Sequence, residues 1–476
     1  MTFTARLRGT RRSRHDATVS VLARLRPRSP SRPTRAVRPT RPTSAVPPRG
    51  TGGTRGRRAL RAVGVALAVL PGLVCLAAAG RTAQVALGTP DTPADVAAQV
   101  RHLRDALADG AAERMQGLFP EGYFFTHALT GLAAAAQGPG ALPVVESELA
   151  ALDSPAGRAP FPPDAAPAHG AFWTGWSLML AVELARLRPD DATRAAVRER
   201  AAPLVTALRD SPTGFLESYP GQRWPVDTVV AVAALARADR GVGVPGAAPL
   251  VTAWTARTAG ARDPGTGLLP HRLGTDPARA EAGEGPRGSS TVLTVLFERD
   301  VDPAVAARDY ATLTRRFVTR ELGWVGVREY LTGTDGAGDV DSGPLLRGLS
   351  LSASAVAIGT ARSAGDRALA LGLEREGELF GVPWQWGGRR TYAGGVLPIG
   401  EAFLAWARSI PLAAPAPAAG PAGAGGPSAG GPPATPAPAP SPLWWAWITV
   451  LLLPPAGVGA ATVVVRARRR RGAVRA

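Results

Sequence analysis

From about Asp95 to Ser409 apolar residues recur with a helical period, and they do so in two alternating styles. One style keeps a charged face, as in Ala195-Ala196-Val197-Arg198-Glu199-Arg200. It predicts helices with one wet side over 95–109, 141–153, 191–209, 247–258, 302–321 and 364–380. The other style is apolar nearly all round and rich in small residues, as in Val229–Ala236 and Ser350–Thr360. It predicts buried helices over 123–136, 170–187, 225–238, 287–298, 343–361 and 398–409. Wet and buried helices therefore alternate as six pairs. An outer ring of wet helices around an inner ring of buried ones is an all-α, (α/α)6 toroid, expected to occupy residues 84–410. An open solenoid of helix pairs is the alternative, but the count of six fits a closed ring better. No strong strand alternation competes, and short strands fit only in the long connections.

Two further apolar runs are unbroken by charge. Ala62–Gly80 lies between Arg61 and Arg81, and Leu443–Val465 opens with Trp444, Trp445 and Trp447. Both are long enough to cross a bilayer, and Trp clusters favour the headgroup level. A cleaved signal peptide ending near Ala77-Ala78-Ala79 is the other reading of the first run, although its leader would be unusually long.

Charge sharpens this picture. The chain carries +18, but residues 1–61 contribute +16 and residues 466–476 contribute +6, which leaves about −4 between them. The middle is mildly acidic, so the basic balance does not point to a nucleic-acid surface there. Arginine flanks each apolar run on its outer side, which predicts both termini in the cytoplasm and the middle domain outside. Residues 1–58, rich in Arg, Pro, Ser and Thr, read as a disordered cytoplasmic arm. Residues 413–442, almost entirely Pro, Ala and Gly, read as a spacer. The single cysteine, Cys75, falls in the first apolar run. The domain therefore forms no internal disulfide, uses no thiolate and holds no Cys-ligated zinc.

Chemically suggestive residues gather in the connections that lead into the buried helices. Tyr219-Pro220-Gly221-Gln222-Arg223-Trp224-Pro225-Val226-Asp227 puts Pro225 at a helix start and Asp227 in its first turn. Asp227 there can serve the helix dipole or, beside Tyr219 and Trp224, a sugar-like ligand. His271 offers an acid or base with a near-neutral pKa, or simply a backbone-bonded loop histidine, and Arg287-Gly288-Ser289-Ser290 opens the next buried helix. Arg328-Glu329-Tyr330, Asp335, Asp339 and Asp341 crowd four carboxylates into 13 residues. Such crowding is costly unless the acids are paired or divide acid and base roles. Asp335, Asp339 and Asp341 could also gather calcium, though the spacing lacks the glutamate that completes an EF-hand; no other cofactor is indicated. Glu121, Tyr123, His127, His169, Trp173, Trp384, Trp386 and Tyr392 complete an aromatic-lined mouth.

The run Asp339-Val340-Asp341-Ser342-Gly343-Pro344 with Gly348-Leu349-Ser350-Leu351-Ser352-Ala353-Ser354-Ala355 resembles a signature of uncharacterised bacterial membrane-anchored proteins. Trp224-Pro225-Val226-Asp227-Thr228, Arg287-Gly288-Ser289-Ser290 and Arg328-Glu329-Tyr330 look like its other blocks, so the match covers roughly 215–365. The resemblance implies the six-hairpin toroid group, which includes many glycosidases and is distantly like linalool dehydratase/isomerase. That enzyme's chemistry is linked to cysteines, and this domain has none, so its activity is not implied.

The expected function is that of a membrane-anchored extracytoplasmic enzyme, glycosidase- or lyase-like. It would act on a glycan or other envelope component by carboxylate acid/base chemistry. Asp227 and Asp341 form the expected catalytic pair, with Asp339, Glu329 and His271 as further candidates. Tyr219, Trp224, Arg287, Arg328, Tyr330, Trp384 and Trp386 are the expected substrate contacts. The alternative is a non-catalytic toroid that binds a cell-wall polymer or a partner protein.

Overall fold

The computed structural model describes residues 53–88, 93–414 and 440–474. Most of the predicted arm 1–58 and of the spacer 413–442 lies outside these. The chain divides into two units, Met1–Val63 and Gly64–Ala476. Of the first, only the opening of helix α1 (Gly53–Leu87) is described. That helix begins at Gly53, inside the segment expected to be disordered. Arginine is a good helix former, and an apolar helix already nucleated extends readily into its Arg-rich flank.

The second unit is mostly helical. Its six wet helices are α2 (Pro93–Ala108), α5 (Leu142–Asp153), α8 (Asp191–Asp210), α10 (Ala247–Arg257), α12 (Pro303–Arg316) and α14 (Arg367–Gly381). Its six buried helices are α4 (Gly122–Ala135), α7 (Gly170–Leu187), α9 (Pro225–Val242), α11 (Gly288–Val301), α13 (Leu351–Ala364) and α15 (Pro398–Ser409). Short helices α3 (Ala111–Gln116) and α6 (Pro155–Arg158) lie in the connections, and α16 (Pro442–Val474) ends the chain.

Packing follows the two styles. α4 packs on α7, α7 on α9, α9 on α11, α11 on α13 and α13 on α15, and α15 returns to α4. The wet helices lie against these six. Small residues set the spacing: a Cβ added at Gly175 of α7 would come within 2.9 Å of the Ala231 backbone of α9. Aromatic rings from three different buried helices meet at the centre. Trp176 lies 5.3 Å from Phe297 and 5.5 Å from Trp406, and Phe297 lies 6.0 Å from Trp406. This edge-to-face and stacked packing fills the middle, so whatever lies among the helix ends has a solid floor.

Three of the six wet helices start with a carboxylate cap. Asp190, Asp302 and Asp366 accept from the first-turn amides of α8, α12 and α14. Buried helices α4, α7, α9, α11 and α15 start without a side-chain cap from their N-cap residue; at α11 the Glu329 carboxylate takes the Ser289 amide instead.

All strands lie in the connections that enter buried helices, as four antiparallel hairpins. These are β1–β2 (Arg272–Leu273, Ala282–Glu284), β3–β4 (Val318–Glu321, Trp324–Val327), β5–β6 (Leu345–Leu346, Leu349–Ser350) and β7–β8 (Trp384–Trp386, Arg389–Thr391). Two predicted boundaries move because of them. α12 ends at Arg316 rather than 321, since Val318–Glu321 turns back through Leu322 and Gly323, both at positive φ. α13 begins at Leu351 rather than 343, because Gly343, Arg347 and Gly348 also take positive φ and Pro344 follows the first of them. Ser350 then caps α13 by accepting from the Ala353 amide at 3.1 Å.

Among the described residues, two helices are long and apolar enough to cross a membrane, over Val69–Leu87 and Pro442–Arg468. The first reaches past Gly80, where the sequence pattern ended it. Its last turns belong to the folded unit: Val85 and Ala86 are buried against Trp444, with Trp324 and Leu379 beside them.

Candidate functional site

The connections that enter the buried helices bring one carboxyl group after another to the same end of the unit. The chain before α9 makes a tight turn in which the Ser218 and Gln222 backbones pair and Gly221 takes positive φ. Pro225 then starts the helix, which fixes Asp227 in its first turn. Asp227 is buried, with 7% of its surface exposed. Burial pushes its carboxyl up to about 8; a hydrogen bond from Ser218 opposes this, and the charges of Asp341 and Glu121 add to it. Among the described residues, no arginine pairs with it.

Asp341 comes from the Gly-rich loop before β5. Asp339 shapes that loop by accepting from the amides of Asp341 (3.1 Å) and Ser342 (3.0 Å), and the Ser350 hydroxyl donates to the Ser342 carbonyl at 2.8 Å. Enclosure by protein lifts the Asp341 carboxyl towards about 7, helped by Asp339, Glu121 and Glu329 and opposed by Arg287. Solvent still reaches 54% of the side chain. It screens these charges, so the lift is smaller than burial of the whole group would impose.

Glu121 stands immediately before α4, half-buried, and its carboxyl is raised by burial against the hydrogen bond it accepts from the Tyr219 hydroxyl. Burial and the charges of Glu121, Asp227 and Asp341 drive the Tyr219 phenol far above its ordinary range, so it stays neutral and donates. Glu121, Asp227 and Asp341 thus form a group of acids close enough to feel one another, fringed by one phenol.

His271 completes the edge of this group. Its Nδ1 lies 3.1 Å from Ser290 Oγ, and Ser290 in turn donates to the Arg287 carbonyl at 3.3 Å. Its Nε2 lies 3.7 Å from Asp341 Oδ2, longer than a direct hydrogen bond. Burial first, then Arg287 and Arg272 against Asp339, push the imidazole down to about 4, so it is neutral near pH 7.

Arg287 ties the neighbouring acids down. Its guanidinium donates to Glu329 at 2.7 Å and lies 2.6 Å from Asp339 and 3.3 Å from Glu284. Glu329 is fully buried, and it also accepts from the Ser289 amide (3.1 Å) and hydroxyl (2.7 Å). For Asp339, burial would raise the carboxyl, but the Arg287 and Ser342 bonds outweigh it and hold it below its ordinary value. The open face of the guanidinium lies 5.4 Å from the Tyr330 ring centroid.

The expected residues therefore divide. Asp227, Asp341, Asp339, Glu329, His271, Tyr219 and Arg287 come together, with Trp224 edge-on to Tyr219 at 5.8 Å and Tyr330 against Arg287. Glu329 and Asp339 are held in ion pairs rather than left free. Arg328 does not join the group. It reaches Asp335 at 3.2 Å and its remaining contacts are in its own loop. Trp384 is exposed on β7, and Trp386 meets His102 edge-on at 5.6 Å. Glu121, expected only in the lining of the mouth, and Ser218, at the start of the loop before α9, join the group as partners of Tyr219 and Asp227.

Asp335, Asp339 and Asp341, which the spacing offered to calcium, face different partners. Among the described residues no three His, Cys, Asp or Glu side chains gather as a metal would need. A cavity of about 600 Å³ opens at the other ends of the buried helices beside Met179, Phe297 and Trp406. Most of the charges that line it are consumed pairwise, Arg237 with Asp300 at 2.7 Å and Arg186 with Glu183 at 2.7 Å, so the acid group is the stronger site. Comparison of the chain with protein-family models gives no match, and comparison with curated proteins gives none.

Proposed function

We propose that this chain is a membrane-anchored extracytoplasmic enzyme that cleaves a glycan or glycan-linked envelope component by carboxylate acid/base chemistry. The single observation that carries this reading is the meeting of Asp227 and Asp341. They come from connections more than a hundred residues apart, lack an arginine partner, and both have raised carboxyls, Asp227 by full burial and Asp341 to a lesser degree because solvent reaches it. Structural acids are neutralised by cations, as Glu329 and Asp339 are here. Acids left together with raised pKa are poised for proton transfer.

In this reading the cyclic packing of six buried helices is the inner ring of an (α/α)6 toroid, and the site sits in its mouth. Asp227 carries its proton near pH 7 and gives it to the leaving oxygen as the glycosidic bond breaks. Asp341, once ionised, takes a proton from the water that attacks the sugar carbon. Tyr219 and Glu121 hold a sugar hydroxyl between them, and Trp224 offers it an apolar face. His271, neutral at the edge of the group, does not compete for the proton. The arginines outside each apolar helix support cytoplasmic termini and a domain on the far side of the membrane.

The test uses the full chain in detergent micelles, with fractionated envelope glycans followed by mass spectrometry, beside Asp227→Asn and Asp341→Asn. Product that falls by about 10²-fold or more in both variants is the expected result. Retention of an unchanged glycan by all three proteins sinks catalysis and leaves a binding module.

A further inference from the structure

The end of the unit that carries the site also carries its apolar exposure. Among the described residues from 93 to 414, twelve large apolar side chains are exposed. Eleven lie in, or at the helix ends flanking, the connections that enter buried helices. Leu118, Leu346, Trp384 and Val396 are between 62% and 74% exposed. At the other end, among these residues, only Leu412 is of this kind, just past α15 and 40% exposed. Single exposed apolar residues scattered over a surface need no explanation, but their concentration at one end does.

The two membrane-length helices dock at that same end. Hairpin β3–β4 climbs α14 towards its C-terminus: Val325 packs over Gly372, and Trp324 lies 5.2 Å from Phe380. The hairpin tip is therefore at the site end, and α16 is fastened to it. Trp444 donates to the Gly323 carbonyl and Trp447, one turn further along, to the Leu322 carbonyl, both at 2.9 Å. Arg81 of α1 donates to the Glu378 carbonyl, among the last of α14, at 2.6 Å. A Cβ at Gly72 would lie 3.5 Å from the Pro455 backbone, so α1 and α16 continue side by side. Their entry points and the exposed apolar tips share one end of the domain.

We propose that the mouth of the site faces the bilayer that α1 and α16 enter, and that its substrate is a glycan carried on a membrane lipid. The apolar tips sit at the headgroup boundary, where Trp384 and Trp386 are at home and buried apolar area stabilises contact. A substrate held in the same plane needs only to swing its sugar into the acid group. This substrate class rests on the enzymatic reading above; the orientation does not.

The experiment uses the full chain with its only cysteine removed, Cys75→Ser, reconstituted in phosphatidylcholine–phosphatidylglycerol vesicles. A nitroxide is attached at Leu346→Cys or Val396→Cys, and at Ala192→Cys on the other end as the comparison. Labels at 346 and 396 are expected to collide with oxygen and be shielded from a water-soluble nickel chelate, with the reverse at 192. Equal nickel access at both ends overturns the orientation, as does dipolar broadening at 346 and 396 that marks a second copy covering them. A glycolipid extract is then compared with the same glycans released from lipid by mild acid. Confinement to one surface is expected to favour the lipid-held pool by about 10²-fold, and equal rates overturn the substrate class. Immersed labels with no turnover of either pool end the enzymatic reading and the substrate class with it, while the orientation stands. Wetted labels with turnover of free glycan do the opposite.

Discussion

A buried carboxyl without a cation is an expensive thing to keep ionised, and Asp227 makes that cost measurable. Its folded pKa, about 8, lies above its unfolded value. Between roughly pH 4 and pH 8 the folded state therefore holds a proton that the unfolded state has lost, and stability falls as pH rises through that window. Asp227→Asn keeps the shape and removes the ionisation. Denaturant melts should show the variant more stable than the parent at pH 8, by on the order of a few kcal/mol, and nearly equal to it at pH 4. A variant less stable at pH 8 would mean that the carboxylate has a partner after all. Activity should follow the same groups. Asp227 must be protonated and Asp341 ionised, so the rate should rise as Asp341 ionises, at or below pH 7, and fall near pH 8, with both limbs belonging to the pair jointly. A flat profile of kcat/KM from pH 5 to 9 would exclude both as proton carriers.

Elements are where the sequence was most readable, and where its limits have physical causes. All twelve long helices of the unit appear at the expected places because period and burial style are read directly from apolar spacing. The starts and ends that moved, at α12 and α13, were decided by positive-φ turns at Leu322, Arg347 and Gly348, which no periodicity signals. Asp227 and Asp341 were legible as acids in one class of connection. Glu121 was legible only as part of the mouth and not as a member of the acid group, because a glutamate before a helix looks the same whether it serves the dipole or a site. Arg328 was misplaced for the converse reason: its charge is spent inside its own loop, on Asp335. The connection holding Asp339 and Asp341 depends on Arg287, which joins it to Glu329 beneath. Arg287→Ala would leave the fully buried Glu329 without its cation, a loss of about 3–5 kcal/mol. It should also free the 335–343 loop. Faster proteolysis within that loop, together with a lowered denaturation midpoint, is the expected result; an unchanged midpoint would show that Ser289 alone satisfies Glu329.

At the scale of the whole molecule, the two ends of the folded unit differ: the candidate site and the contacts of both membrane-length helices lie at one of them. Trp444 is the centre of that fastening. It is 97% removed from solvent, packs on Trp324 at 4.9 Å and donates to the Gly323 carbonyl. Its removal should not change whether the chain is in the membrane, because the apolar length of α16 is nearly untouched. It should change how the domain is held. In Trp444→Ala the β3–β4 hairpin loses its cover, and the exposed Arg320 on its first strand becomes a site for trypsin. Limited digestion of the full chain in vesicles should cut after Arg320 several-fold faster than in the parent, while high-salt washing leaves both proteins in the membrane pellet. Equal digestion rates would mean that the hairpin is held by α14 alone, through Val325 over Gly372 and Trp324 on Phe380. The docking of α16 would then contribute nothing to the orientation of the site.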